Sequence, residues 1–399
     1  MVEISVIIPV YNCEEYLDES VGGILNQTFQ DIEVICVDDG STDNSLKKLQ
    51  EFAKEDSRMQ VFHQENQGGG AARNFALTKA TGKYLYFMDA DDIICPDALK
   101  KSYEVCERTD VDFLVFKAKM YIEEEDRYSE NEYFMMNKLY EYVGDEVFSI
   151  EDIGDMIFKF SVTPWGKLYK RDFVMDSGAQ FAVGISFHDN KFFWEMLFNS
   201  KSIIFLNEIL YVRRLHSKSL IGSKNKGYFN SFIAFNIVFD IFKKYDQFDK
   251  FKTQLFNWKV RILYFRFTMI HDEFKQEFLE RLQKEFQSIE NEDGLEYLLS
   301  ILEPRNQAIF QNALNSQTYM EYIVRMENYG LNNRLDKLNN DNKNLKKKIS
   351  NLEKKYDKLN DKYLILDGKY KKSNQLNKQI LNSRSWKLTK PLRKMKNIR

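Results

Sequence analysis

No stretch of the chain approaches the roughly 18 uninterrupted apolar residues that a membrane-crossing helix requires, so no transmembrane segment is expected. Proline is scarce, with five in 399 residues, which argues against long disordered linkers. The four cysteines, Cys13, Cys36, Cys95 and Cys106, have no CxxC spacing, and three lie in apolar or strand-like contexts. They read as free thiols in a reducing compartment rather than as a disulfide framework or a zinc site. The start, Met-Val-Glu-Ile, carries neither a basic n-region nor an apolar h-region. No signal peptide is therefore expected, and a cytoplasmic location is. Net charge is only −2, which excludes a chain built as a whole to bind nucleic acid. Against these absences stand 43% hydrophobic and 30% charged residues, enough for a real core, a solvated surface and two or three domains.

The first half alternates strand and helix patterns. Ile4–Val10 and Ile32–Val37 are continuous apolar runs rich in β-branched residues, the pattern of strands buried on both faces of a parallel sheet. Gln60–His63, Lys83–Met88 and Asp112–Lys119 predict further strands. Predicted helices lie between them: one capped by Asn12 and reaching Asn26, one ending near Asp56, one over Ala72–Ala80 after a glycine-rich turn at Gln67–Ala71, and one starting at Pro96. Strand–helix–strand units at this spacing imply an α/β fold with a doubly wound, mostly parallel sheet. In such sheets ligands bind beyond the carboxyl ends of the strands. Four polar clusters fall at those ends: Tyr11-Asn12, Asp38-Asp39, Gly68–Gly70 and Asp89–Asp92.

Each cluster suits one part of a nucleotide ligand. Asp38-Asp39 could accept hydrogen bonds from a base or sugar, or simply cap a helix. Gly68-Gly69-Gly70 before Arg73 offers backbone N–H groups and a guanidinium to a diphosphate, or forms a plain turn. Asp89, Asp91 and Asp92 stand together only if something offsets their repulsion, and oxygen-only ligands favour Mg²⁺ or Mn²⁺. GxGxxG and the Walker lysine pattern are both absent, which counts against a dinucleotide site and a P-loop ATPase.

SVIIPVYN, VDDGSTD, NQGGGAARN and MDADD, in that order and spacing, resemble the family 2 glycosyltransferases of the GT-A (Rossmann-like) fold over roughly residues 1–220. The resemblance implies that Pro9, Tyr11 and Asp39 hold the base of a nucleotide sugar. It puts Arg73 near the diphosphate, Asp89 towards the ribose, Asp91 on the metal, and Asp92 at the metal or donor sugar. It also implies inversion at the anomeric carbon with a carboxylate base. Direct displacement needs such a base on a segment facing the donor. Asp189 in GISFHDNKFFWEMLF is the candidate, with Glu195 as runner-up on a face expected to pack. The family usually reads Glu-Asp there, and here His188 replaces the Glu. His188 either tunes Asp189, contacts the acceptor or is an exposed variable position. Trp165, in a segment resembling the family's acceptor side, either stacks on a sugar or belongs to the core. Arg213, Arg214 and His216, in YVRRLHSKS, could close over the diphosphate or help at the metal. His63 and His271 read as structural.

Residues 221–328 show aromatic and aliphatic residues at helical spacing and predict a small helical domain. From 329 to 375 Leu331, Leu338, Leu345, Leu352, Leu359 and Leu366 recur every seven residues. Leu335, Asn342, Ile349, Tyr356, Tyr363 and Tyr370 fill the intervening seam. This is a coiled-coil heptad with leucine at d, and Asn342 at an a position suits a two-stranded parallel coil, so a homodimer is expected. A basic tail follows over 376–399: Ser383–Arg399 lacks acidic residues and interleaves Arg384, Lys387, Lys390, Arg393, Lys394, Lys396 and Arg399 with Trp386. It suits an anionic membrane surface on the inner face of a cell membrane. SRSWKLTKPLR also resembles tails of bacterial surface-polysaccharide transferases. The expectation is metal-dependent transfer of a sugar from a UDP- or dTDP-sugar to a glycan or lipid-linked acceptor. The rival is a catalytically degenerate coiled-coil scaffold that recruits other enzymes.

Overall fold

The computed structural model describes residues 2–216 and 226–389. The chain divides into two compact units, Met1–Tyr322 and Ile323–Arg399. The first unit is built on one mixed sheet. Its strands are β1 (Ile4–Val10), β2 (Ile32–Asp38), β3 (Met59–His63), β4 (Tyr84–Phe87), β5 (Ile93–Ile94), β6 (Phe113–Ile122), β7 (Arg127–Ser129), β8 (Lys167–Lys170) and β9 (Ile203–Leu215). Their order is β3-β2-β1-β4-β8-β6-β9-β5, with β7 paired to β6. The half that carries the nucleotide motifs is parallel: β1 runs with β2 and β4, and β2 with β3. β8 is inserted antiparallel between β4 and β6. The predicted doubly wound sheet is thus correct for the first four strands and mixed beyond them.

The apolar runs of β1 and β2 are buried because helices cover both faces. Ile4, Val6, Ile8 and Val10 join Leu17, Val21 and Ile24 of α1 (Leu17–Leu25) and Leu49 of α2 (Ser45–Glu55) in one cluster. On the other face Phe87 meets Phe181 and Phe192 edge-on at 5.3 and 5.4 Å. Glu33 of β2 is a carboxylate buried in this frame. Glu33 accepts from Ser5 Oγ at 2.6 Å and from Thr81 N at 2.7 Å, which satisfies a group that would otherwise be costly to desolvate.

Two local expectations are corrected. Asn12 caps no helix: α1 begins only at Leu17, and Asn12 sits at φ 52°, its Oδ1 accepting from Thr42 N at 2.8 Å. It ties the end of β1 to the loop after β2. The helix after the glycine run is α3 (Gly69–Leu77), which starts inside the glycines rather than after them. A helix α4 (Ala98–Thr109) precedes β6.

Beyond β8 the first unit is mainly helical, β9 excepted. α5 (Asp189–Asn199) packs against α6 (Asn230–Lys244), and Trp194 lies 4.9 Å from Phe242 and 5.8 Å from Trp258 of α7 (Phe248–Met269). Most phenylalanines of this region are core, as their helical spacing predicts, whereas Phe265 is exposed. Glu195 is buried on this packed face, with Lys244 Nζ at 3.3 Å. The second unit is carried by α8 (Tyr319–Asn382), whose first residues belong to the first unit. Among the described residues no helix is long and apolar enough to cross a membrane.

Candidate active site

The carboxyl ends of β1, β2 and β4 and the start of α3 surround an open cleft of about 180 Å³. Pro9, Val10, Tyr11, Cys13, Asp39, Gly69, Arg73, Asp89, Ala90 and Asp91 line it. Seven of the candidate site residues read from the sequence, Gly69 among them, therefore line one cleft. Tyr11 presents an exposed ring, at 49% of its full surface. The loops after β1 and β2 are laced together beneath it, Asn12 N donating to Ser41 Oγ at 3.0 Å and Cys13 N to Ser45 Oγ at 2.9 Å.

Asp39 shapes the glycine turn. Its Oδ1 accepts from Gln67 N at 2.9 Å and its Oδ2 from Gly68 N at 2.8 Å, so a strand-end carboxylate holds the backbone that leads into α3. Gly70 is required by close approach: a Cβ there would lie 2.2 Å from Ala182 O and 3.2 Å from the His188 ring. Arg73, one turn into α3, is buried and pairs with Asp89.

The three aspartates divide their work. Ligand oxygens of Asp89, Asp91 and Asp92 lie within 4.8 Å of one another. Asp92 is fully engaged inside the protein. Its Oδ2 accepts from Tyr211 OH at 2.6 Å and its Oδ1 from Arg214 N at 2.7 Å, which fastens the turn after β4 to β9. Burial pushes Asp92 well above the usual carboxylate range, and Asp91 and Asp89 push it the same way. Asp89 and Asp91 are partly exposed, at 35% and 25% of their side chains, and face the cleft. His216 Nε2 lies 2.9 Å from Asp91 Oδ2. A hard oxygen pair with an imidazole beside it fits Mg²⁺ or Mn²⁺.

A match to the family model described as glycosyl transferase family 2 covers residues 5–163. The chain is 33% identical over 234 residues to the glycosyltransferase GlyG of Streptococcus pneumoniae serotype 4, covering 55% of this chain and 73% of that protein. The chain belongs to glycosyltransferase family 2. It is also 34% identical over 223 residues to GlyA of the same organism, again 55% of this chain but only 31% of that protein. Among solved structures, S. aureus TarS residues 1–349 in complex with UDP-GlcNAc superposes with a TM-score of 0.61 at 20% identity, covering 83% of this chain and 92% of that one. That likeness establishes the GT-A fold.

The other candidate residues of this glycosyltransferase lie outside the family match. Asp189 opens α5, where the helix N-terminus favours its negative charge. It belongs to the same electrostatic environment as Asp89, whose carboxyl is raised by burial, lowered by Arg73 and raised again by Asp91 and Asp189. His188 stands between the two halves and is not an exposed position. Its Nε2 lies 3.3 Å from Arg73 Nη1, and its Nδ1 3.6 Å from Asp189 Oδ1. Burial lowers its pKa to about 4, so the ring is neutral near pH 7. Arginine can only donate, so Nε2 accepts and Nδ1 carries the proton, on the side of Asp189.

Trp165 is core: it is 3% exposed and stacks on Tyr211 at 4.6 Å, which turns it away from any acceptor. Arg214 is buried and pairs with Glu19 and Glu123, so it braces the site rather than closing over it. Arg213 lies over Phe134 at 5.6 Å. Ser217–Ser219 of that motif and the tail beyond Thr389 lie outside the described residues. Three contacts come to light only in the structure. Cys13 lines the cleft, its thiol pushed up to about 12 chiefly by burial. His63 Nδ1 meets Asp38 Oδ2 at 2.7 Å. Lys167, fully buried, donates to Ser161 O and Thr163 O at 2.7 Å each, and burial lowers it to about 7. A lysine inside an apolar WGKLY run was the signal for the last.

Proposed function

We propose that this glycosyltransferase moves a sugar from a nucleotide-diphosphate donor, with UDP- or dTDP-sugars favoured, to a glycan or lipid-linked acceptor in cell-surface polysaccharide assembly, inverting the anomeric carbon. The observation that carries this is the shared cleft of Pro9, Tyr11, Asp39, Arg73, Asp89 and Asp91, with the charge of Asp189 on a separate segment acting on Asp89. Tyr11 offers a face for the base, and Asp39 orders the glycine turn whose backbone approaches the diphosphate. Arg73 adds positive charge beside it. Asp91 and Asp89 would hold Mn²⁺ or Mg²⁺, with His216 adjacent. A bound divalent cation supplies charge stabilisation to the departing nucleotide diphosphate. Asp189 accepts the proton of the acceptor hydroxyl as that oxygen attacks C1. His188, neutral and holding its Nδ1 proton towards Asp189, keeps a second full positive charge away from the base. The pairing of α8 with a second copy and contact of the basic tail with an anionic membrane surface would hold the enzyme beside its acceptor.

The test is donor turnover with Mn²⁺. Asp91→Ala is expected to lower turnover by about 100-fold or more, and equal activity would remove the metal role. Asp189→Asn is expected to abolish transfer while calorimetry still shows UDP binding in the presence of Mn²⁺. Full activity would move the base elsewhere, and a wild-type chain that binds neither UDP nor Mn²⁺ would favour the scaffold reading.

A further inference from the structure

The seam of α8 lies on an unpartnered face of one continuous 64-residue helix. From Leu331 to Leu366 its apolar residues are exposed, Leu338 at 60%, Ile349 at 54% and Leu359 at 67%. The stripe spans about 50 Å at 1.5 Å per residue, and so many exposed large apolar groups in one line need a partner. The charges beside the seam select which partner and which direction.

With leucine at d, the g positions are Arg334, Asp341, Lys348, Lys355, Lys362 and Lys369, and the e positions five residues on are Asn339, Lys346, Glu353, Asn360, Asp367 and Asn374. In a parallel, in-register pair each g residue faces the following e residue of the other helix. Asp341 then meets Lys346, Lys348 meets Glu353, and Lys362 meets Asp367. The other g residues meet asparagines, and no like charges meet. An antiparallel pair sets g against g, and all of those g residues except Asp341 are basic. Asp367 Oδ2 already binds Lys371 of its own helix at 2.7 Å, which leaves Oδ1 for Lys362 of the second copy. Asn342 falls opposite itself only in the parallel register, where the two amides can pair.

We infer that α8 pairs with α8 of a second copy as a parallel, in-register, two-stranded coiled coil whose direction is chosen by the Asp341–Lys346, Lys348–Glu353 and Lys362–Asp367 contacts. This rests on the pairing proposed above and adds its register and the charge contacts that choose its direction.

The test uses the full chain. Sedimentation equilibrium is expected to give a dimer; a monomer at micromolar concentration overturns the pairing itself, and a trimer overturns the strand number. Leu338→Cys and Leu359→Cys, made singly and oxidised, are each expected to form a same-position disulfide that the wild type does not. The two sites are about 30 Å apart along the helix, so an antiparallel coil can bring at most one of them opposite itself. A dimer in which only one variant, or neither, cross-links overturns the direction while leaving the pairing. The triple change Asp341→Lys, Lys348→Glu, Lys362→Glu makes all three contacts repulsive. It is expected to weaken dimerisation roughly 10-fold or more, and adding Lys346→Glu, Glu353→Lys, Asp367→Lys to restore it. Unchanged dimerisation in the triple variant overturns the assignment of those charges.

Discussion

At the scale of single residues, the site depends on which groups are already committed. Asp92 gives both oxygens to β9, Asp39 gives both to the glycine turn and its approach, and Arg73 is shared between Asp89 and His188. What is left facing the cleft is Asp91 and part of Asp89, and Asp189 acts on Asp89 through its charge from a separate segment. His188 is where this chain departs from its family's usual Glu-Asp, and burial gives the departure a measurable signature. An imidazole held at about 4 when folded and in the ordinary range when unfolded favours folding fully only above the unfolded value. As pH falls from about 6.5 to about 4 the unfolded chain takes up a proton that the folded chain refuses, and stability on the order of 3 kcal/mol is lost. Urea unfolding at pH 7 and pH 4.5 should therefore show a steeper loss for the wild type than for His188→Gln. Gln can still accept from Arg73 and donate towards Asp189, but it does not titrate. Equal losses in the two proteins would mean that His188 is protonated normally.

At the scale of elements, the glycine turn shows how tightly the two halves of the site meet. α3 begins within the glycines because Asp39 fixes Gln67 and Gly68, and Gly70 then passes against Ala182 and His188. Gly70→Ala would place a methyl 2.2 Å from a carbonyl oxygen, so the 182–188 segment has to move. The expected result is a loss of about 1–3 kcal/mol in stability and a fall in kcat larger than any rise in KM, because Asp189 shifts with that segment. A variant with wild-type kcat and stability would show that the loop carries no positioning role. The same elements show what the sequence made legible. β1 and β2 were readable because strands covered on both faces are apolar along most of their length, and their motifs sit at strand ends, where a parallel sheet exposes its ligands. The antiparallel insertion of β8 was not readable, since Lys167–Lys170 is short and its pairing with β4 and β6 is long-range. For the same reason the structural role of Asp92 was hidden: its partners, Tyr211 and Arg214, lie more than a hundred residues away on β9. Trp165 sits in a motif beside the site yet stacks into the core, a choice that local sequence does not encode.

At the scale of the whole molecule, the division at Tyr322 separates two kinds of stability. Met1–Tyr322 holds a sheet core closed on itself, so its unfolding should not depend on protein concentration. α8 exposes its apolar seam along most of its length, and an isolated helix gains little without a partner, so its melting should depend on pairing. Three of the four tryptophans, Trp165, Trp194 and Trp258, lie in the first unit. Tryptophan fluorescence should therefore follow the sheet unit, while circular dichroism at 222 nm follows both units. Thermal scans are expected to show a helical transition whose midpoint rises with protein concentration, and a fluorescence transition whose midpoint does not. UDP with Mn²⁺ at about 100 times its Kd should stabilise the fluorescence transition by about 2.7 kcal/mol and leave the helical one in place, because the cleft belongs wholly to the first unit. A single concentration-independent transition seen by both probes would contradict the division. A ligand shift of both transitions together would mean that nucleotide binding and helix pairing are thermodynamically linked, so that the coil takes part in donor binding.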